Sequence, residues 1–376
     1  MRRLITWLVG SALLLAAGGI QAQTLDPEDP PLGLPPVPVP EDNPVTEAKA
    51  DLGERLFNEE RFSGDGTISC ATCHEPDRAF TDGLAIAEGI DDQKGTRNTP
   101  TVVNAAYFET QFWDGRRDSL ETQALDPLVN PVEHGLDSHD AVLEVVRSDE
   151  RYREQFREVF DVGPDAITMD HVTKAIATFE RTQVSGNSPF DRYLYGGEED
   201  AISESAKRGL KVFRNKGRCV DCHTIGENHA TFTDNEFHNL GVGFDRIRDE
   251  MYALVENFRK MKQEGDGANI DETILTDAKV AELGRFTETL DTQDIGRFKT
   301  STLRNIAVTA PYMHDGSEKT LMEVVEFYDQ GGNSNPLLDG GIKELNLTEQ
   351  EKEDLVAFMK TLTSPRFSDL ADGEAQ

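Results

Sequence analysis

The sequence predicts a mainly α-helical chain built from two domains that are related by internal duplication, with few short strands. Two observations predict this fold class. The segment Cys70-Ala-Thr-Cys73-His74 has a second copy, Cys219-Val-Asp-Cys222-His223. Each copy also follows a stretch in which apolar residues recur at helical spacing, residues 52–57 before the first and 208–213 before the second. Each domain is therefore expected to begin with an amphipathic helix that leads into the cysteine motif.

A Cys-x-x-Cys-His motif is the attachment signature of c-type haem, in which two thiols form thioethers and the imidazole becomes an axial iron ligand. The two copies use all 4 cysteines of the chain. The alternatives are a redox dithiol, a zinc site and a disulfide pair. A thioredoxin-type site prefers a βαβ context that is missing here, and the 149 residues from Cys70 to Cys219 exceed ordinary zinc-finger spacing. The motifs predict two covalent haems, with His74 and His223 on the irons.

The first 22 residues have the pattern of a secretory signal peptide. Arg2 and Arg3 precede an apolar stretch, and the small residue Ala22 ends a plausible cleavage site. A retained N-terminal anchor is the alternative. No later segment approaches the roughly 18 apolar residues of a spanning helix. We therefore expect a periplasmic protein with no membrane span in the mature chain, which suits c-type haem attachment outside the cytoplasm.

The formal net charge is −32. Such a field disfavours nucleic acid and anionic membranes as partners and would attract cationic ones, for example a basic electron-donor protein. Adaptation to high salt, or simply to solubility, explains the same charge, so charge alone does not identify a partner.

Composition divides the mature chain into a leader, two domains and a tail. Residues 23–44 are rich in Pro and acidic residues and are predicted to form an extended leader outside any core. The domains are predicted at 45–195 and 196–364, the second with an insertion at 245–298 that the first lacks. Residues 365–376 are predicted to be a loose acidic tail.

The remaining helices follow from periodicity and capping. Residues 142–160 and 167–183 have apolar residues at helical spacing. The insertion holds two charged, helical stretches with a Gly-rich break at 265–267. A capping box, Thr348-x-x-Glu351, predicts the start of the final helix over 347–362.

The duplication extends well beyond the cysteines. Four further pairs match in order: Phe80-Thr-Asp with Phe232-Thr-Asp, Asn104 with Asn305, residues 112–115 with 313–316, and Ser119-Leu120 with Thr320-Leu321, whose Ser and Thr are predicted N-caps.

The repeat register makes Pro127 the counterpart of Tyr328. Proline has no ligating side chain and would leave the sixth position of the first iron open, whereas a tyrosine phenolate can bind ferric haem iron. The alternatives are that Tyr328 is a core aromatic, or that Met313 or Met322 binds the second iron.

Three blocks resemble the bacterial dihaem cytochrome c peroxidase and MauG superfamily: Phe112-Trp-Asp-Gly-Arg116, Asn130-Pro-Val-Glu133, and residues 302–316 with Thr-Leu-Arg-Asn and Pro-Tyr-Met-His-Asp-Gly. The likeness covers nearly the whole mature chain. It implies a haem enzyme that uses hydrogen peroxide at the N-terminal haem, while the C-terminal haem handles electrons. The family often pairs, so a homodimer is one expectation.

The resemblance also implies roles for single residues. Trp113 would relay charge between the haems, Glu133 would be the distal acid/base, and Gln123 would be a second distal polar group. The side chain of Asn98 would bind one calcium ion between the domains, together with the backbone carbonyls of Thr309 and Pro311.

Two departures point to the MauG-like branch. Many of the peroxidases carry a His in the loop after the first haem that closes the resting iron, and the matching position here is Ile90. Where those peroxidases carry an axial Met, this chain has Tyr328. The pairing implies a first haem ready for peroxide without prior reduction, and oxidation of an external substrate such as a protein side chain. The alternatives are a conventional peroxidase fed by a small cytochrome c and a non-enzymatic dihaem electron carrier.

Overall fold

The computed structural model describes residues 26–265 and 267–373. The predicted signal peptide, residues 1–22, lies outside these ranges. The described chain is mainly helical. The first half contains α1 Glu47–Phe57, α2 Cys70–Cys73, α3 Leu120–Gln123, α4 Asp126–Val129, α5 Asp140–Ser148, α6 Glu150–Phe160, α7 Met169–Thr182 and α8 Pro189–Leu194.

The second half contains α9 Glu204–Arg214, α10 Phe244–Ile247, α11 Met251–Glu264, α12 Gly267–Thr276, α13 Ala278–Ala281, α14 Phe286–Thr289, α15 Leu321–Asp329, α16 Glu349–Lys360 and α17 Ser368–Gly373. Two short strands, β1 Phe237–His238 and β2 Phe298–Lys299, pair antiparallel. The mainly α-helical fold class with few short strands is confirmed. Across the described ranges, no helix is both long and apolar enough to cross a bilayer.

The predicted caps are confirmed. The Ser119 hydroxyl accepts from the Thr122 N–H at the start of α3, and the Thr320 hydroxyl accepts from the Glu323 N–H at the start of α15. Thr348 and Glu351 form the predicted capping box at the start of α16. These hydrogen bonds satisfy backbone donors that the first helical turn leaves without partners.

The helical stretch predicted over 142–160 consists of two helices in the structure, α5 and α6. Asp149 lies between them with extended backbone angles of φ −78° and ψ 123°, and its carboxylate accepts from the Arg151 N–H. The Asp149 side chain therefore competes for backbone donors and starts a new helix, which apolar periodicity does not reveal.

The two halves repeat the same helix crossing. α1 packs on α7 in the first half and α9 packs on α16 in the second. A Cβ atom on Gly53 would lie 2.0 Å from the Ala175 carbonyl oxygen, and one on Gly209 would lie 1.8 Å from that of Asp354. Only glycine permits so close an approach of two helices. These matched contacts make α7 and α16 counterparts in the two halves, with Ala175 equivalent to Asp354.

Residues 26–44 pack into the core, so the expectation that the leader stays outside it is wrong for this described part. Leu34 and Val37 are buried in an apolar cluster with Leu120. The Gly33 carbonyl accepts from the Arg304 guanidinium at 2.5 Å and from the Ala230 N–H at 3.0 Å. The segment turns back on itself, since the Val37 N–H donates to the Pro27 carbonyl at 2.8 Å, and its Gly33 carbonyl satisfies donors of the second half.

The described part of the tail also packs. Phe367 is buried in the apolar core of the first half, and α17 follows it. The expectation of a loose segment is therefore wrong for this stretch. The acidic composition of the tail suggested a loose segment, and the buried apolar residue Phe367 was overlooked.

The insertion has an apolar cluster of its own, formed by residues that include Ile247, Val255, Phe258, Ile274 and Phe286. Arginine side chains join it to the first half. The Arg97 guanidinium donates to the Ala281 carbonyl at 2.8 Å, and Arg285 donates to the carbonyls of Asp114 at 2.9 Å and Gly115 at 2.8 Å. The insertion is thus a packed unit that contacts both halves.

Candidate haem sites

The first cysteine motif lies on the short helix α2 and the residue after it. The Nδ1 atom of His74 is 3.3 Å from the carbonyl oxygen of Phe80, whose backbone has a left-handed φ of 60°. Burial lowers the pKa of His74, which keeps the ring neutral. With Nδ1 hydrogen-bonded to a carbonyl, the lone pair of Nε2 remains available for iron.

The second motif repeats this geometry. The Nδ1 atom of His223 is 3.0 Å from the carbonyl oxygen of Phe232, which also has a left-handed φ of 54°. The repeated Phe-Thr-Asp segments therefore have a physical reason, since the left-handed Phe directs its carbonyl to the imidazole. Burial also lowers the pKa of His223. All four cysteines are partly buried, and none of them forms a disulfide with another. This donor set, two thiols and a neutral imidazole in each half, fits a c-type haem.

Glu133 faces the first pair of cysteines. Burial raises the pKa of both the Cys70 and the Cys73 thiol, and the charge of Glu133 adds to the rise in each, so the carboxyl group lies near them. Burial raises the pKa of Glu133 itself to about 7, against a weaker opposite effect of Arg116. The Asn130 side-chain oxygen accepts from the Glu133 N–H at 3.2 Å and so fixes the turn that presents it.

The loop that contains Ile90 packs beside this turn. The Ile90 N–H donates to the Glu133 carbonyl at 3.0 Å. The Ile90 side chain is buried and packs against Gly64 and Gly135. It occupies an apolar contact and offers no donor atom for a metal.

Gln123 ends α3, and Pro127 is in α4. Among the described residues, the Gln123 side-chain amide has no hydrogen-bond partner. No hydrogen bond within the described ranges joins it to Glu133 or to the cysteines, and its distal role stays a prediction.

Tyr328 faces the second pair of cysteines from α15. Burial raises the pKa of its phenol, and the charges of Cys219 and Cys222 raise it further, so the hydroxyl lies near these thiols. Within residues 26–265 and 267–373 the hydroxyl has no hydrogen-bond partner. A buried phenol of this kind stays protonated unless a cation adjoins its oxygen. Ferric iron would be such a cation.

The rival ligand Met313 occupies a different kind of position. Its backbone has a left-handed φ of 70°, and its repeat counterpart Phe112 has a φ of 65°. The two residues therefore share a turn conformation. This agrees with the interpretation of Met313 as the packing counterpart of Phe112.

Trp113 lies where the two halves meet. Its indole N–H donates to the Asn98 carbonyl at 2.9 Å, and its own carbonyl accepts from the Lys299 N–H at 2.8 Å. Its ring contacts His314 edge to face, with centroids 6.4 Å apart. The partners Lys299 and His314 belong to the second half. Trp113 therefore contacts residues of both halves.

Asn98 also spans the halves. Its N–H donates to the His314 carbonyl at 2.8 Å, and its side-chain amide donates to the Leu84 carbonyl at 2.8 Å. In the described part of the chain, no donor contacts its Oδ1 atom or the carbonyls of Thr309 and Pro311. Oxygen atoms of this type are the ligands that calcium prefers.

Sequence reasoning missed two buried residues of the first half, His134 and Glu180. The Nδ1 atom of His134 is 2.9 Å from the Phe62 carbonyl, the same arrangement as for His74. Glu180 lies on the buried side of α7, and its burial raises its pKa to about 8. A signal for Glu180 existed, because it follows Val172 and Ile176 at intervals of four residues on the apolar face.

Comparisons with known proteins agree with this geometry. The model of the di-haem cytochrome c peroxidase family matches residues 47–199. The chain is 37% identical to the cytochrome-c peroxidase IdrP1 of Pseudomonas sp. (strain SCT), over 94% of this chain and 90% of that protein. It is 38% identical to the methylamine utilization protein MauG of Methylorubrum extorquens, over 87% of this chain and 81% of that protein.

A solved structure is also similar. The crystal structure of a MauG-like protein associated with microbial copper homeostasis has a TM-score of 0.71 and 34% sequence identity. The match covers 92% of this chain and 98% of that chain. The shared fold therefore includes both halves.

Proposed function

The chain belongs to the di-haem cytochrome c peroxidase family, and we propose that it acts within that family as a MauG-like enzyme, using hydrogen peroxide in the first domain to oxidise an external substrate. The family makes it a haem oxidoreductase and implies two c-type haems. Its named relatives include both peroxidases and MauG proteins. The choice between these branches is our proposal.

The cofactors supply iron chemistry, and the chain supplies their surroundings. Two haems, bound through the cysteines of each motif with His74 and His223 on the irons, would supply the metal that reacts with peroxide and a store for oxidising equivalents. The surrounding residues determine which iron is accessible, where protons move, and how the two domains are connected.

Tyr328 is the single observation that carries the proposal. Its hydroxyl is buried beside Cys219 and Cys222 and has no other partner in the described chain. An anionic phenolate favours ferric iron and lowers the reduction potential, whereas a thioether would favour ferrous iron. A second domain with this ligand suits the storage of an oxidising equivalent better than the collection of electrons from a cytochrome.

Glu133 is proposed as the acid/base of the first domain. Peroxide must lose a proton from one oxygen and gain one on the other as its O–O bond breaks. A carboxyl group with a pKa of about 7 can accept and return that proton near neutral pH. Ile90 packs on Gly64 and Gly135, which supports a first domain that no loop imidazole closes.

Trp113 is proposed as the relay between the domains, with Gln123 as a further distal group. The Trp113 indole donates to a backbone carbonyl, which cannot take up a proton. Loss of an electron would therefore leave the proton on the indole. A calcium ion at Asn98, Thr309 and Pro311 would fasten the contact that positions Trp113.

A conventional cytochrome c peroxidase is the second candidate function. The 37% identity to IdrP1, which is named a cytochrome-c peroxidase, favours it. In that case the external partner would be an electron-donor cytochrome, and in the MauG-like case it would be a protein substrate. In both cases we propose that the protein is exported to the periplasm. We also propose a homodimer, because proteins of this family often form dimers.

Rapid mixing of the fully oxidised protein with hydrogen peroxide tests the proposal. We expect an absorption change within milliseconds to seconds without a reductant. The Tyr328→Phe variant should alter the low-spin ferric spectrum, and Tyr328→Met should raise the potential of the second haem. Tyr195→Phe is the matched control, because Tyr195 packs against the apolar cluster of the second half and its hydroxyl already donates to the Gly226 carbonyl at 3.2 Å.

Two results would contradict the proposal. A spectrum unchanged in Tyr328→Phe would remove Tyr328 as ligand. A protein that reacts with peroxide only after one haem is reduced would favour the conventional peroxidase. The His134→Gln variant then shows whether that second imidazole closes the first iron, since its loss would restore the direct reaction.

A further inference from the structure

Glu180 is a buried carboxyl group that the proposed reaction does not use. It is 6% exposed, and its Oε2 atom is fully buried without a hydrogen-bond partner. In the described chain no donor contacts its other oxygen either. An anion without a partner in such a place is strongly destabilised, and the group takes up a proton instead.

Glu180 belongs to α7, whose Ile176 and Phe179 lie in the apolar cluster against which Cys70 packs. Burial raises the pKa of the Cys70 thiol, and the charge of Glu180 is the largest electrostatic addition to that rise. A thioether at Cys70 no longer titrates. The nearby group whose charge changes is then the haem that Cys70 carries. The carboxyl group and the first haem are thus close enough for the charge of one to act on the other.

Other charged groups leave Glu180 unpaired. Arg181 of the same helix lowers its pKa and Glu121 of α3 raises it, but these two pair with each other at 2.6 Å. On α1, the Lys49 ammonium donates to the Asn43 side chain and to the Pro44 carbonyl, both at 2.8 Å. The ion pairs around α7 are therefore complete without Glu180.

The second domain has an apolar residue at the equivalent place. A Cβ atom on Gly53 would lie 2.8 Å from the Cβ of Phe179, and one on Gly209 would lie 2.8 Å from the Cβ of Phe358. This register makes Met359 the counterpart of Glu180, and Met359 is buried at 6% exposure. The helix crossing accepts an apolar side chain there, so packing does not demand the carboxyl group.

We propose that Glu180 is a redox-linked proton site of the first domain. When a one-electron donor reduces the first haem, one proton from solvent binds the Glu180 carboxylate, and when the electron leaves, the proton leaves with it. The lower positive charge of the reduced centre favours the protonated acid, and the oxidised centre favours the anion. The proton compensates the charge of the electron inside a buried pocket. The inference rests on haem attachment at Cys70 and is independent of the proposed substrate.

A potentiometric titration at a series of pH values from about 6 to 9 tests this inference, with each haem followed in its own absorption band. In the parent protein, the midpoint potential of the first haem should fall as pH rises, by up to about 59 mV for each tenfold drop in proton concentration. Glu180→Gln and Glu180→Met should flatten this slope. The second haem, which has Met359, serves as the internal control and should show no change between parent and variants.

The pH dependence of the midpoint potential of the first haem in the parent protein tests the proposal even if a variant fails to fold. A flat slope in the parent protein overturns the proposal, and so does a slope that persists in either variant. Glu133→Gln separates the two carboxyl groups, because a slope lost there and kept in Glu180→Gln would assign it to Glu133. Redox-difference infrared spectra should show a protonated carboxyl band that Glu180→Met lacks. A flat slope would leave the peroxide proposal standing.

Discussion

Replacement of Glu133 by Gln should slow the reaction with peroxide and change its pH dependence. The amide keeps the size of the side chain but can neither accept nor return a proton. Loss of a positioned acid/base costs roughly 100- to 10,000-fold in rate. The carboxyl faces the Cys70 and Cys73 thiols. We therefore expect the whole decrease in rate to appear in the reaction with peroxide.

The pH profile follows from the raised pKa of Glu133. With a pKa of about 7, the carboxylate that accepts the proton is the main form above pH 7, and it falls about tenfold for each unit below it. The parent rate should rise with pH up to about 7 and then level off. An ordinary carboxyl group would give a plateau that begins about two to three units lower.

Stopped-flow absorption of the oxidised protein mixed with peroxide measures both quantities. The matched control is Glu144→Gln, because Glu144 is exposed on α5 and its loss changes the net charge equally. Glu133→Gln should be slow and flat across pH, and Glu144→Gln should follow the parent. A rate within about twofold of the parent, or a parent profile flat down to pH 5, would refute the acid/base role.

Three further predictions concern stability. Burial raises the pKa of Glu180 to about 8, so the folded chain binds the Glu180 proton more tightly than the unfolded chain does. Glu180 therefore destabilises the folded state increasingly as pH rises from the unfolded pKa to about 8. Glu180→Met should therefore raise the melting temperature more at pH 9 than at pH 5, and an equal shift at both would contradict this linkage. Gly209→Ala should lower the melting temperature strongly, since its Cβ would lie 1.8 Å from a carbonyl oxygen, while Gly340→Ala, with open space around it, should not. Arg304→Met should cost about 3–5 kcal/mol in urea unfolding, because it leaves the fully buried Asp191 without its partner at 2.8 Å. Unchanged urea midpoints would show that this pair is not needed.

The sequence predicted best where a local pattern has a local cause. The caps at Ser119 and Thr320 were predictable because one hydroxyl satisfies one backbone donor. The equivalence of the two halves was predictable because matching sequence segments form the same left-handed turns, as at Asn104 with φ 65° and Asn305 with φ 61°.

It failed where a contact joins distant segments. The leader resembles a linker in composition, and nothing in residues 23–44 shows that Arg304, 271 residues beyond Gly33, will donate to it. Glu180 was missed for a similar reason. One acidic residue among 70 looks like a solvated one until the fold buries it. Such partners are set by tertiary packing, which composition does not contain.

The duplicated backbone makes the differences between its halves informative. Trp113 and His314 are counterparts in the repeat, and they also contact each other where the halves meet. Ser185 and Ser364 do the same, since each donates its N–H to a matching Asn and their hydroxyls bond each other. Residues on such a junction are shared by both domains, whereas residues away from it serve one domain alone. Tyr328 and Glu180 are of the second kind. Because the frame around them is repeated, a change at either position should alter one haem and leave the other as its reference.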